Sequence, residues 1–187
     1  MIEIRPLQSL DGLSNVITGY TSEQKYKISR TESGDQLTFS MQLVRLDTPY
    51  VVQFSDHLGE ETLQDYTNFL QQGLSLGAYD DDQLVGVGIA EAQAWNNSLW
   101  VREFHIAETH RGKGIGRQLM DGLVAKGQSA NLRAIFCETQ TINVPAIRFY
   151  RKMGFTCDGL NLALYTNEDW PDGEVALFMK KSLTANP

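Results

Sequence analysis

The chain has 187 residues, 42% hydrophobic and 21% charged, with 16 basic against 23 acidic residues for a net charge of −7. That length and composition fit a single globular domain with a sizeable core, and exclude a disordered or fibrous chain. The acid surplus argues against coating a nucleic-acid duplex, and it tilts the surface toward cationic or amine-bearing partners.

Two cysteines, Cys137 and Cys157, make neither a disulfide scaffold nor a zinc site, and His57, His105 and His110 lack any ligand spacing. No metal is expected. The first residues lack a basic start followed by an apolar run, so no signal peptide is read there. The longest apolar stretch, Val85 to Ala90, is too short to span a bilayer. A soluble, reducing, cytoplasmic location without a membrane partner is the expectation.

Ile2 and Ile4 alternate with Glu3 and Arg5, which predicts a first strand before Pro6. Leu10 to Gly19 reads as a helix, with Leu13, Val16 and Ile17 on one side. Tyr26 to Ile28 and Leu37 to Phe39 read as strands around the turn-rich Glu32-Ser33-Gly34-Asp35. Leu63, Tyr66 and Leu70 give a helix over Glu60 to Gln72. Leu76 to Tyr79 and Leu84 to Ala92 read as a hairpin around Asp80-Asp81-Asp82, a solvated turn rather than a metal site.

After a turn at Asn96-Asn97, Leu99 to Ala107 reads as a strand. Trp100, Arg102, Phe104 and Ile106 take one nominal face, and Val101, Glu103 and His105 the other. Gly112 to Gly116 is a glycine turn. Ile115, Leu119, Met120, Leu123 and Val124 follow as an apolar helical stripe ending near Gly127. Ala134 to Thr139 reads as a strand. Asn143 before Val144-Pro145 starts a helix that Gly154 ends. Thr156 to Tyr165 and Val175 to Lys180 read as final strands. The alternation of strands and helices gives a mixed α/β sheet.

The turn Arg111-Gly112-Lys113-Gly114-Ile115-Gly116 lies between a strand and an amphipathic helix. Glycines let the main chain approach a phosphate, and a helix N-terminus offers unpaired N–H groups. Arg111, Lys113 and Arg117 add cations in an acidic chain. The P-loop pattern is missing, and the dinucleotide pattern fails because its last glycine would be Arg117. A plain strand-to-helix turn is the competing reading.

The same turn matches [RQ]-x-x-G-x-[GA] in full. Some thirty residues on, Asn143, Ala146, Tyr150, Gly154 and Phe155 match N-x-x-A-x-x-x-Y-x-x-x-G-F. With these two motifs in order, Leu99 to Phe155 resembles the GNAT superfamily of acetyl-CoA-dependent N-acetyltransferases. A narrower resemblance, to streptothricin acetyltransferases, rests on Glu138-Thr139-Gln140, Asn143, Phe149-Tyr150, Gly154-Phe155 and Leu164-Tyr165-Thr166-Asn167, with Leu37-Thr38-Phe39 and Pro49-Tyr50 upstream. The resemblance implies an α/β (α+β) GNAT fold spanning 1–187 as one domain. Its mixed sheet of about seven strands is flanked by helices, and the fourth and fifth strands splay.

The resemblance further implies that Arg111, Gly112, Lys113, Gly114, Ile115 and Gly116, with Arg117, hold the coenzyme A diphosphate. It places the main chain of His105, Ile106 and Ala107 against the pantetheine arm, as donors to the thioester oxygen. Asn143 caps its helix and meets the cofactor. Tyr150 both contacts the cofactor and protonates the leaving thiolate. An ammonium acceptor must lose a proton before attack, and Glu103 and Glu138 are the carboxylates available to take it. Relatives carry an acidic pair on the strand before the turn; here its first member is Arg102, and His105 replaces a small residue.

Three readings follow. The first is an N-acetyltransferase acting on a primary amine of a small molecule, with a streptothricin-like aminoacyl antibiotic as one candidate. The second makes the acceptor a protein lysine or N-terminus. The third is a non-catalytic acetyl-CoA-binding module. Homodimerisation is a property of many relatives.

Overall fold

The computed structural model describes residues 1–54 and 58–184, so His57 lies outside the described residues. Strand β1 (Ile2–Pro6) is followed by helix α1 (Leu13–Val16), β2 (Gly19–Ser33), β3 (Gln36–Gln53), α2 (Glu60–Leu70), β4 (Leu76–Asp80), β5 (Gln83–Gln93) and β6 (Ser98–Ile106). A 3₁₀ turn at Glu108–His110 leads to α3 (Ile115–Ser129), then β7 (Ala134–Gln140), α4 (Val144–Lys152), β8 (Thr156–Asn161) and β9 (Ala176–Ser182). Seven strands form one sheet in the order β1-β4-β5-β6-β7-β9-β8, while β2 and β3 pair separately. The pairs β1/β4, β4/β5 and β5/β6 are antiparallel and β6/β7 is parallel, so the sheet is mixed as expected.

The chain divides into two compact units. The first contains Met1–Gly19, Gln53–Cys137 and the segment from Lys180; the second contains Tyr20–Val52 and Glu138–Met179.

In the first unit, opposite faces of β5 carry different helices. Val87 and Ile89, fully buried, join Leu13, Val16, Ile17 and Tyr66 of α1, its C-terminal flank and α2. The alternate residue Gly88 faces α3, where an added Cβ would meet Leu123 at 2.8 Å. Alternation along a strand sends successive residues to these two layers. Ile115, at the start of α3, is buried with Ala78 and Val85 and thereby fixes the beginning of that helix against β4 and β5.

In the second unit Tyr26, Val144, Ile147 and Leu177 form the core, with Met41, Leu43 and Leu160 packed on it. The Tyr26 N–H donates to the Thr141 carbonyl at 2.9 Å, and Arg151 Nη1 donates to the Tyr26 hydroxyl at 2.7 Å. Asn143 caps α4 as expected, its side-chain oxygen accepting from the Ala146 N–H at 3.2 Å, and Gly154 follows at φ 85°.

Four expectations change. The first helix spans only Leu13–Val16, because the N–H groups of Ile17 and Thr18 close on Leu13 and Val16 carbonyls and turn the chain into β2. The strands around Gly34 are 15 and 18 residues long rather than short segments. The eighth strand stops at Asn161, and Tyr165 lies in a loop. There the Asp169 carboxylate accepts from the N–H groups of Tyr165 and Thr166 and from the Thr166 hydroxyl, at 2.7–2.9 Å.

The fourth change concerns β6. Its register against β5 slips between Ile89 and Ala90, so that Glu103 opposes Ile89 and Val101 opposes Ala90, with Arg102 as the extra residue. Residues opposite one another share a face. Glu103 and His105 therefore lie on the layer of Ile89 and Val87, with α1 and α2. Val101, expected beside them, lies on the α3 layer with Phe104 and Ile106.

Candidate active site

The turn before α3 has the backbone its glycines permit. Gly112 and Gly114 take φ of 76° and 81°, values that side-chain-bearing residues rarely adopt. A Cβ on either would meet no heavy atom within 4 Å, so the main chain is open on that side. No side chain among the described residues caps α3, and its first N–H groups face the turn. Lys113 and Arg117 are exposed; Arg117 Nε lies 3.7 Å from Asp121. Arg111 behaves differently. Its Nε donates to the Ile106 carbonyl at 3.0 Å and its Nη2 to the Gly19 carbonyl at 2.8 Å.

Just past β6 the Ala107 N–H donates to the Val85 carbonyl at 2.8 Å. N–H groups alternate sides along an antiparallel ladder, so the His105 N–H also faces β5 and the Ile106 N–H faces away from it. Of the three residues expected as donors, only Ile106 presents its N–H on that side. Glu103 is 6% exposed. One of its oxygens accepts from the Tyr66 hydroxyl of α2, and the other lies 2.7 Å from His105 Nε2. The His105 and Phe54 rings pack edge to face with their centroids 5.5 Å apart. Burial, then the Glu103 carboxylate, pushes the Tyr66 phenol far above its usual range. Arg102, the departure from the expected acidic pair, is ion-paired to Glu91 and lies over Trp100.

In the second unit Tyr150 is 6% exposed and packs between Phe149 and Phe155, both at 5.6 Å. Glu138 accepts from the Tyr165 hydroxyl, and Glu174 accepts from the Tyr50 hydroxyl. Tyr20 belongs to the same group. Burial, followed by Glu174, Tyr50 and Glu138, raises its phenol well above normal. Burial and then the Glu138 bond do the same to Tyr165.

The description "Acetyltransferase (GNAT) family" matches this chain over residues 41–155. The chain belongs to the GNAT acetyltransferase family. It is 31% identical to the streptothricin acetyltransferase of Streptomyces lavendulae over 92% of this chain and 87% of that one. The crystal structure of nourseothricin acetyltransferase superposes with a TM-score of 0.77 at 28% identity, covering 98% of this chain and 99% of that one. A structure from Bacillus anthracis str. Ames, in complex with acetyl coenzyme A, shares the fold: TM-score 0.74, 21% identity, 97% of this chain and 99% of that one.

This GNAT acetyltransferase takes its acetyl group from acetyl-CoA, and its glycine turn fits the diphosphate of that co-substrate. The open faces of Gly112 and Gly114 leave room for an anion against the main chain, and the uncapped start of α3 supplies donors. Among the described residues no group of three or more His, Cys, Asp or Glu side chains could hold a metal ion, and no helix is long and apolar enough to cross a membrane.

The sequence does not place Tyr66, Gly19, Tyr20 or Phe54 beside these residues. Tyr66 reads from sequence only as one apolar position of a helix; its bond to Glu103 joins residues 37 apart. Gly19 matters through its carbonyl, which no side-chain pattern signals.

Proposed function

We propose that this GNAT acetyltransferase moves the acetyl group to a primary amine of a small cationic molecule of the streptothricin type, as one acetyltransferase domain. The observation that carries the acceptor class is the cluster of Glu138 and Glu174 with Tyr20, Tyr50 and Tyr165. Carboxylates and aromatic faces together attract an ammonium. Glu138 then serves acceptor binding rather than proton removal. The relatives' names favour the same acceptor class.

On this reading the N–H groups of Gly112, Lys113, Gly114, Ile115 and Gly116 hold the diphosphate. Lys113 and Arg117 add positive charge, and Arg111 positions the turn. The Asn143 oxygen is used by its helix, which leaves its amide nitrogen for the cofactor. β6 runs on past Val101, the last residue paired with β7 at Cys137, and Arg102 to Ile106 form the edge for the pantetheine arm. The Ile106 N–H faces the negative charge that grows on the thioester oxygen; such preoriented donors are worth about 3 kcal/mol. The amine nitrogen bonds to the acetyl carbon, the C–S bond breaks, and the Tyr150 phenol protonates the sulfur.

A cytoplasmic location and a homodimer belong to the same proposal. An apolar groove along β8, an edge strand of the sheet, is lined by Phe39, Leu160, Leu162 and Phe178 and suits a second copy. Sedimentation of the pure protein tests the dimer.

Thiol release from acetyl-CoA, measured over streptothricins, aminoglycosides, polyamines and lysine-bearing or free-N-terminal peptides, tests the function. Streptothricin-type amines are expected to exceed peptides in kcat/KM by about 100-fold, about 2.7 kcal/mol. A preference for peptides would transfer the assignment to protein acetylation.

A further inference from the structure

We propose that His105 is the group that takes the proton from the acceptor ammonium, with Glu103 as its positioning residue and Tyr66 holding Glu103 in place. The proposal rests on the acetyl-transfer reading above.

An ionised carboxylate only accepts. Glu103 receives the Tyr66 hydroxyl on one oxygen and faces His105 Nε2 at 2.7 Å on the other. The proton of a neutral His105 ring therefore sits on Nε2, and Nδ1 carries the lone pair. No hydrogen-bond partner meets Nδ1 among the described residues. The His105 side chain is 17% exposed against 6% for Glu103, so the ring stands between a buried carboxylate and solvent. A carboxylate behind an imidazole fixes its tautomer and its orientation.

Position supports the same role. His105 immediately precedes Ile106, whose N–H faces away from β5 and is assigned to the thioester oxygen. The bulge at Arg102 puts Glu103 and His105 together on the α1/α2 layer. Among the described residues, the groups facing the ring include Glu103 of its own strand, Tyr66 of α2 behind that carboxylate, and Phe54; Val87, opposite on β5, is apolar. Arg102 is held by Glu91. Glu103, at 6% exposure, is less open to an acceptor than His105 at 17%.

The step balances. The acceptor enters as an ammonium and gives one proton to His105 Nδ1. Its nitrogen bonds to the acetyl carbon while the C–S bond breaks. A second proton leaves the nitrogen as the amide forms, and the expelled sulfur takes up one proton. His105 then returns its proton to solvent.

The test is the pH dependence of kcat/KM for wild type, His105→Gln, Glu103→Gln and Tyr66→Phe, with acetyl-CoA affinity measured in each. Wild type should show a rising limb governed by one ionisation. His105→Gln should lose that limb and about 100-fold in kcat, with acetyl-CoA affinity within about two-fold. Added imidazole should restore part of the rate in His105→Gly. In Glu103→Gln the ¹⁵N spectrum should lose its strict Nε2–H signature, because an amide can donate to Nε2 as well as accept from it. ¹⁵N NMR of the wild-type imidazole should report hydrogen on Nε2, and it needs no variant to fold. A His105→Gln enzyme that keeps both limb and rate, or hydrogen on Nδ1 in wild type, overturns the proposal. A wild type that acetylates no amine overturns the acetyl-transfer reading instead.

Discussion

The Nη2 of Arg111 donates to the carbonyl of Gly19 at 2.8 Å, while its Nε reaches the Ile106 carbonyl at 3.0 Å. A cation that the motif suggests for phosphate is thus engaged with two main-chain oxygens. One lies at the end of β6 and the other at the start of β2. Arg111 therefore fixes where the glycine turn begins, and it steadies the residue whose N–H is assigned to the thioester oxygen.

Arg111→Met should then act through position rather than charge. It keeps the aliphatic stem and loses both bonds, each worth about 1 kcal/mol. We expect a lower thermal midpoint and a roughly ten-fold higher KM for acetyl-CoA. The salt dependence of cofactor binding should match that of wild type. A salt dependence that weakens markedly would instead give Arg111 a direct phosphate contact.

Two substitutions at Gly114 separate backbone strain from blocked access. At φ 81° an alanine costs about 1 kcal/mol or more, although its Cβ meets no atom within 4 Å. Gly114→Ala should lose that stability and bind acetyl-CoA within about ten-fold of wild type. Gly114→Glu carries the same strain plus a negative charge at the anion site, and binding should vanish in calorimetry. Equal affinities in the two variants would move the diphosphate elsewhere.

How much the sequence disclosed depends on how local each determinant is. The α3 stripe, the Asn143 cap and the glycine turn are short-range patterns, and each lies where its residues place it. The long β2–β3 hairpin left little trace, because most of its side chains are exposed and no buried alternation marks its length. The faces of β6 depart from plain alternation for a different reason. A single extra residue, Arg102, reverses the alternation, and only the register against β5 shows it. The Glu103–His105 bond is short in sequence, yet simple alternation also places those residues together, for the wrong neighbours. Their third partner, Tyr66, comes from another element altogether.

Asp169 gives a prediction with a pH sign. Burial pushes its carboxyl up, but the Thr166 hydroxyl and the Tyr165, Thr166 and Leu164 amides outweigh it and hold the group below the usual 3.8. A depressed folded value contributes stability above the unfolded value, and that stability is lost as pH falls through the folded one. Asp169→Asn should therefore be less stable than wild type at pH 7 in urea melts. The gap should narrow below about pH 3.8 as wild type protonates. A gap that stays constant into strong acid would make the effect one of shape, not charge.

Tyr150→Phe tests the proton donor, and the packing around it makes the test clean. The ring is 6% exposed and lies 5.6 Å from both Phe149 and Phe155, contacts that phenylalanine preserves. Removing one oxygen should leave α4 and the cofactor dissociation constant within about two-fold of wild type. The expelled thiolate then lacks its phenolic proton, and general-acid catalysis of this kind is worth about 100-fold or more. We expect kcat to fall by that factor while KM for acetyl-CoA stays near wild type. The loss should be smaller with a thioester whose thiol is more acidic, since such a leaving group needs less protonation. Unchanged kcat, or a loss that does not depend on the leaving thiol, would assign that proton to water and leave Tyr150 as a packing residue of the second unit.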